Sequence, residues 1–329
     1  MVKKMNKENV GLSAGSGGKE MSELISSFGF TNRGNWENCD NDSATLNMED
    51  EKKLVFTSDS FVVDPLFFPG GNIGHLAFCG TVNDLSVMGA TPLGLSLSLV
   101  IEEGFPREDL EKIISSIKKL SEEYGIPIVT GDTKVMPKGK IDKIIINVSG
   151  VGVVNDKDVL TKEINVGDKL IISGGIGEHA VSLLSKRFDY TTDVVTDSKP
   201  LIRELEAVRD LVKVAKDPTR GGIAAILNEL CEKCNMGMLL DEDLIPAKQE
   251  VVKVTEMLGI NLYELACEGR FVCISSVKNA QNVVDKLKKF NSDAAIIGEI
   301  TSGNQVIVKT ILGKRILPVP TGRLVPRIC

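Results

Sequence analysis

Five aspartates sit where the chain turns or a strand ends, a placement that suits a cation held by oxygen ligands. Asp42 lies in Asn-Asp-Ser-Ala, Asp59 follows a strand in Thr-Ser-Asp-Ser, and Asp84 lies in Val-Asn-Asp-Leu. Asp132 follows a strand in Val-Thr-Gly-Asp-Thr-Lys, and Asp217 opens Asp-Pro-Thr-Arg-Gly-Gly before a helix. Mg²⁺ prefers hard oxygen ligands and commonly bridges carboxylates to nucleotide phosphates. Aspartate also favours turns and caps for purely local reasons, so none of the five decides alone. Lys134 closely follows Asp132, and Arg220 lies in the Asp217 turn. Either cation can neutralise phosphate; the bland reading of each is a solvated surface charge. Glu268, in Cys-Glu-Gly-Arg just before a strand, is a loop carboxylate able to act as a base.

Glycine supplies a second set of candidates. Gly15-Ser16-Gly17-Gly18 and Gly221-Gly222 can bring backbone N–H groups close to phosphate. There is no Walker A lysine motif and no dinucleotide fingerprint in a strand–turn–helix setting, so a nucleotide site here is of another kind. The only histidines are His75 and His179. His75, on a predicted helix, reads as structural or rim-exposed; His179, after Gly174-Gly175-Ile176-Gly177, is the better site candidate. Of the seven cysteines, Cys231 and Cys234 form a CxxC without a second pair, which reads as helix-face packing rather than a zinc site. Cys329 ends the chain on a proline-rich stretch. It is either an accidental last residue or an exposed, mobile thiol that carries a covalently bound group.

These residues need elements to hold them. With 329 residues, 42% of them apolar and 26% charged, the chain suits a globular protein of two domains. A net charge of -6 argues against nucleic acid as the main partner. No secretory signal or membrane-length apolar run is visible, and an odd cysteine count fits reduced thiols in the cytoplasm. The patterning predicts helices over Asn72–Met88, Arg107–Tyr124, Pro200–Val214, Gly221–Cys234 and Asn279–Phe290. Strands are expected at Leu54–Thr57, Leu95–Ile101, Ile126–Val129, Ile144–Val154, Lys169–Ser173, Phe271–Ser275, Ala294–Ile300 and Gln305–Ile311. The expected class is α/β (α+β): one mixed domain over 1–155, a second over 156–312, and a flexible tail over 313–329. A flexible chain of that length spans about 20–25 Å, enough to cross much of a domain surface.

Several strings, in one order, resemble the HypE family of [NiFe]-hydrogenase maturation proteins. They run from Asp64 to Gly74 (DPLFFPGGNIG), from Gly80 to Asp84 (GTVND) and from Val129 to Lys134 (VTGDTK), and include Asp217-Pro218-Thr219-Arg220, Glu268-Gly269 and the terminal Pro326-Arg327-Ile328-Cys329. The family is similar to aminoimidazole ribonucleotide synthetase and selenophosphate synthetase. The resemblance implies two α/β domains, with the N-terminal domains pairing into a homodimer. It implies ATP and Mg²⁺ bound at Asp42, Asp59, Asp84, Asp132 and Asp217, with Gly17, Gly18, Asn83, Thr133, Thr219 and Arg220 completing the nucleotide site. A HypF-type carbamoyltransferase would load a carbamoyl group on Cys329. ATP-dependent dehydration would turn it into a thiocyanate, and the cyano group would pass to iron held by a HypC–HypD-type complex. Lys134 and Arg220 would balance phosphate charge, while Glu268 and His179 would handle protons. The chain departs from the family at Ala14, where a histidine is usual, at Asn41, where an aspartate precedes Asp42, and at Cys267, where asparagine is common. Two other readings stand beside this one: an ATP-dependent small-molecule synthetase or kinase of the same superfamily, and a non-catalytic carrier that presents Cys329.

Overall fold

The computed structural model describes residues 10–15, 18–29, 33–322, 325 and 327–329. Helix α1 (Lys19–Ser27) precedes a mixed unit of β1 (Trp36–Glu37), β2 (Ala44–Asn47), β3 (Lys52–Phe61), β4 (Phe67–Phe68), β5 (Gly71–Asn72), α2 (Ile73–Val87), β6 (Thr91–Glu102), α3 (Arg107–Tyr124), β7 (Ile128–Met136) and β8 (Ile144–Asn155). Six of these strands form one sheet in the order β1-β2-β3-β8-β6-β7. Its ladders are antiparallel except β6 with β7, which run parallel and are joined through α3.

The sheet has two unlike faces. Along β8, Ile144, Ile146 and Val148 are buried, whereas Ile145, Asn147 and Ser149 are only half-buried. Successive strand residues point to opposite faces, so the first set faces α2 and the second faces away. Helix α2 has no polar stripe and is buried almost all round, as befits a helix packed on every side. Asn72 caps it, accepting from the Gly74 and His75 amides at 2.9 and 3.1 Å. Strands β3 and β8 lie against one flank of α2 and α3 against another, while α5 and β10 of the second unit also reach it.

That second unit contains β9 (Lys169–Ile172), α4 (Glu178–Arg187), α5 (Ile202–Val208), β10 (Val212–Lys216), α6 (Gly222–Cys234), β11 (Gly237–Asp241), α7 (Gln249–Leu258), β12 (Val272–Ser275), α8 (Val277–Leu287), β13 (Ala295–Thr301), β14 (Val306–Thr310) and β15 (Gly313–Ile316). Its seven strands order as β10-β12-β9-β13-β11-β14-β15. Among the described residues, no helix is long and apolar enough to cross a membrane.

The mixed class agrees with the sequence expectation, and four local readings change. The helix expected over Pro200–Val214 stops at Val208, because β-branched Val212 and Val214 pair with β12. The Val-Thr-Gly-Asp-Thr-Lys string is not a turn but the body of β7. A Cβ on Gly131 would lie 2.1 Å from the Leu97 carbonyl oxygen, so this glycine permits close strand approach rather than reversal. Strand β11 and helix α7 were not anticipated. The tail starts as strand β15, paired with β14, rather than as free chain.

Candidate functional site

A cavity of about 450 Å³ opens between the two units and gathers Asp42, Asp59, Asp84, Asp217, Thr219 and Arg220, with Gly18 at its margin. Each comes from a different piece of backbone: Asp42 from the loop before β2, Asp59 from the far end of β3, Asp84 from the last turn of α2. Asp217 follows β10 directly, and its carbonyl accepts from the Thr219 amide at 3.0 Å. Gly221 and Gly222 then take φ of 82° and 57° to start α6. A Cβ at Gly222 would meet the Leu265 carbonyl oxygen at 2.5 Å, so this turn needs glycine on both counts.

The carboxylates crowd one another. Thr57 donates to the Asp84 carboxylate at 2.8 Å and to the Asp42 carbonyl at 3.1 Å. Lys216, buried, bonds Asp42 at 3.1 Å and Glu229 at 2.8 Å. The other Asp42 oxygen is buried without a partner. Burial, then repulsion from Asp217, Asp59 and Asp42, holds the Asp84 carboxyl well above the usual range. Burial and Asp42 push Asp217 up to about 8. Burial raises Asp59 too, against the pull of Arg220. Acids held this way want a cation. Among the described residues no three His, Cys, Asp or Glu side chains converge as a ready-made metal cage.

The strain has a thermodynamic sign. Asp217 binds its proton more tightly in the folded chain than in the unfolded one, so folding stability falls as pH rises from about 4 toward 8. In the absence of nucleotide, the melting temperature is therefore expected to drop between pH 6 and 8. Asp217→Asn should flatten that slope and raise the melting temperature at pH 8, read by scanning fluorimetry. Equal slopes in both proteins would contradict the burial argument.

The chain terminus interacts with charged groups of the cavity wall, although Cys329 does not itself line it. The Cys329 thiol is pushed well above its ordinary value by burial and then by Glu268, with Arg220 opposing. Arg220 is raised in turn, first by Cys329 and then, against the effect of burial, by Asp59 and Glu268. Terminal sulfur, guanidinium and carboxylates are thus close electrostatic neighbours. Glu268 is 2% exposed, and one of its carboxylate oxygens has no hydrogen-bond partner. Burial, then Asp217 and Asp197, raises it well above the usual carboxylate range. Where an exposed thiol was expected, Ile328 is buried and Cys329 is half-buried against a core that both units share.

Five candidates lie elsewhere or are otherwise committed. Both His179 nitrogens are engaged: Nε2–H donates to the Ile328 carbonyl at 2.8 Å, and Nδ1 is 2.7 Å from the Thr196 hydroxyl. Burial keeps the ring neutral, so His179 grips the tail and has no free nitrogen for proton transfer. Asn83 is buried, donating to the Lys199 and Glu268 carbonyls and accepting from Leu201 N–H. It stitches α2 to the second unit instead of facing the cavity. Asp132, Thr133 and Lys134 stand on β7, exposed, three strands from β3. Asp59 aligns with Val148 and Leu97, on the α2 side; Asp132 aligns with Ser98, Asn147 and Ser60, on the opposite face. There it pairs with Lys134 at 2.8 Å, which lowers its pKa.

Gly17 lies outside the described residues. Gly18 takes a φ of 73°, and Gly15 accepts from Arg220 at 3.2 Å. Asn41 accepts from Lys233 and donates to Asn38 at 3.3 Å. His75 Nε2–H donates to the Ser198 carbonyl at 2.9 Å, a structural role. Lys216 and Thr57 escaped sequence reasoning, since nothing local marks a lysine as buried. An apolar cavity of about 370 Å³ adjoins the acidic one, sharing Asn41 and Asp42.

Comparison with known proteins agrees with this architecture. Residues 40–154 match the family described as AIR synthase related protein, N-terminal domain, and residues 165–311 match its C-terminal domain. A putative hydrogenase expression/formation protein of Methanocaldococcus jannaschii is 43% identical, with 96% of this chain and 98% of that protein covered. Carbamoyl dehydratase HypE of Rhizobium leguminosarum is 40% identical over 97% of this chain and 95% of its own length. A HypE–HypF complex structure matches with a TM-score of 0.84 at 38% identity, covering 92% of this chain and 100% of that one. A structure of hydrogenase maturation protein HypE in complex with ATP matches with a TM-score of 0.81 at 36% identity, covering 98% and 100%. This chain belongs to the AIR synthase related family and, within it, to the HypE family.

Proposed function

We propose that this protein is an ATP-dependent carbamoyl dehydratase acting on its own terminal residue, converting S-carbamoyl Cys329 into a thiocyanate for hydrogenase maturation. The observation that supports the reading is the convergence of Asp42, Asp59, Asp84, Asp217 and Arg220 on one cavity of about 450 Å³, with the Ile328 carbonyl next to the terminal cysteine held by His179 at 2.8 Å. A relative of the same family has a structure with ATP, and others bear the name carbamoyl dehydratase.

The chemistry needs an oxygen to leave an amide carbon, and amide oxygen is a poor leaving group. Transfer of the ATP γ-phosphoryl to that oxygen makes a good one. Phosphate then departs, the nitrogen gives up its protons, and S–C≡N remains with ADP and phosphate. Glu268 offers an unpartnered carboxylate oxygen to take a proton from nitrogen; burial makes that carboxylate a strong base once ionised. Arg220 stabilises negative charge as it develops on phosphate. One or two carboxylates among Asp42, Asp59, Asp84 and Asp217 would hold Mg²⁺, which would neutralise the nucleotide phosphates. His179 orients the terminus through the Ile328 carbonyl. Residues 1–155 serve as the nucleotide-binding and pairing unit, 156–312 as the unit that closes over it, and the remainder carries the thiol.

The partners follow from the same reading. A HypF-type transferase loads the carbamoyl group, in keeping with the HypE–HypF complex of a relative; a HypC–HypD-type complex receives the cyano group on iron. A second copy of this chain covers the outward face of the six-stranded sheet, where Phe56 is 40% exposed and β7 is an open edge. That pairing brings Asp132, Thr133 and Lys134 into a shared interface. Phe56→Arg should yield monomers by sedimentation; an unchanged dimer would place the contact elsewhere.

The test of the activity is incubation with ATP, Mg²⁺, carbamoyl phosphate and the transferase, followed by mass analysis of the C-terminal peptide. Carbamoylation and then loss of one water at Cys329 is the expected sequence. Carbamoylation that persists with ATP present would overturn it.

A further inference from the structure

We propose that Arg327 is a positioning residue, seated in a socket built from both units, that holds the last turn of the chain so that Cys329 points into the site. The inference rests on the proposed reaction at Cys329. Arg327 takes a φ of 55°, a left-handed backbone that non-glycine residues rarely adopt. Such a conformation persists only where its surroundings over-determine it, and here they do. The guanidinium Nε donates to the Val62 carbonyl at 2.9 Å, and a terminal nitrogen pairs with the Asp142 carboxylate. The Arg327 carbonyl accepts from the Asp64 amide at 3.1 Å and from Arg187 at 3.3 Å.

The socket spans the cleft. Val62, Asp64 and Asp142 belong to the N-terminal unit, while Arg187, on α4, belongs to the second and also donates to the Asp64 carbonyl. Lys143 pairs with Asp64 at 2.8 Å. One residue beyond, the Ile328 carbonyl meets His179. After this αL residue, Ile328 is buried in the core and Cys329 packs against it, with Glu268 and Arg220 as electrostatic neighbours. Without the socket, Arg327 would relax toward extended backbone and swing the sulfur away. Arg327 touches neither nucleotide nor reacting atoms; it acts through the geometry of Cys329.

The Arg327–Asp142 pair is the handle for a test, because Asp142 is an exposed side chain whose replacement leaves the core intact. Asp142→Arg, Arg327→Asp and the double exchange would be prepared as full chains. In each, Cys329 would be labelled with maleimide and the C-terminal peptide quantified by mass, with no chemistry required. Single-turnover dehydration would then be followed after carbamoyl loading and addition of Mg²⁺ and ATP. Each single change should speed labelling and slow dehydration about 10- to 100-fold, the usual loss when a reacting group is misplaced by an ångström. ATP binding should stay native, and the double exchange, which restores the ion pair but not the bond to the Val62 carbonyl, should recover part of both rates. Native labelling rates in both single variants would overturn the proposal, whatever the outcome of the dehydration assay. If labelling responds but the native chain itself never dehydrates its carbamoyl group, the assigned reaction fails while the socket stands.

Discussion

Cys329→Ala is expected to abolish thiocyanate formation and leave nucleotide binding intact. The thiol is the only covalent attachment point the proposed chemistry allows, because the carbamoyl carbon must travel between a transferase and this site. The acidic cavity, by contrast, is assembled from β3, α2, β10 and the turn before α6, none of which depends on the last residue. Calorimetry with ATP should therefore give a native affinity, while the C-terminal peptide shows neither carbamoylation nor loss of water. Thiocyanate formed by this variant would remove Cys329 from the mechanism. Loss of ATP binding would show instead that the terminus is part of the nucleotide site.

Glu268→Gln is the second large effect. The side chain keeps its size and its place behind Asn83, which bonds the Glu268 backbone carbonyl rather than the carboxylate. Loss of a general base typically lowers a rate by about 10²–10⁴-fold. Single-turnover dehydration should fall by that order, with carbamoyl loading unchanged. Because burial raises the native carboxylate, the rate in the native protein should climb with pH as Glu268 loses its proton. The variant should lack that limb. It should also be no less stable than the native chain, since the substitution removes a carboxylate that burial already disfavours. A native rate and a retained pH limb would assign the base to another group.

Much of the site was legible in the chain because its signals are local. A loop aspartate, a double glycine before a helix and a terminal cysteine each declare themselves within a few residues. The long apolar patterns of α2 and α3 likewise came out close to their observed bounds. Where reading failed, the deciding interaction was distant in sequence. The VTGDTK string carries strong turn chemistry, yet a parallel ladder with β6 makes it strand. Val212 to Val214 look helical beside α5, yet β12 takes them as an edge partner.

By itself the sequence singled out groups whose types suit such chemistry: loop acids, an arginine, a glutamate and a sulfur at the end. It also determined that both halves mix helix and strand. Tertiary structure alone decided which of those groups meet. Strand pairing put Asp59 and Asp132 on opposite faces of one sheet, a matter of register parity that no local pattern encodes. The cleft between the units buried Lys216 among the acids, closed both nitrogens of His179 onto neighbours, and turned a tail that reads as free chain into a seated one. Each of these depends on contacts between residues far apart in the chain, where the energy of burial and pairing outweighs local preference.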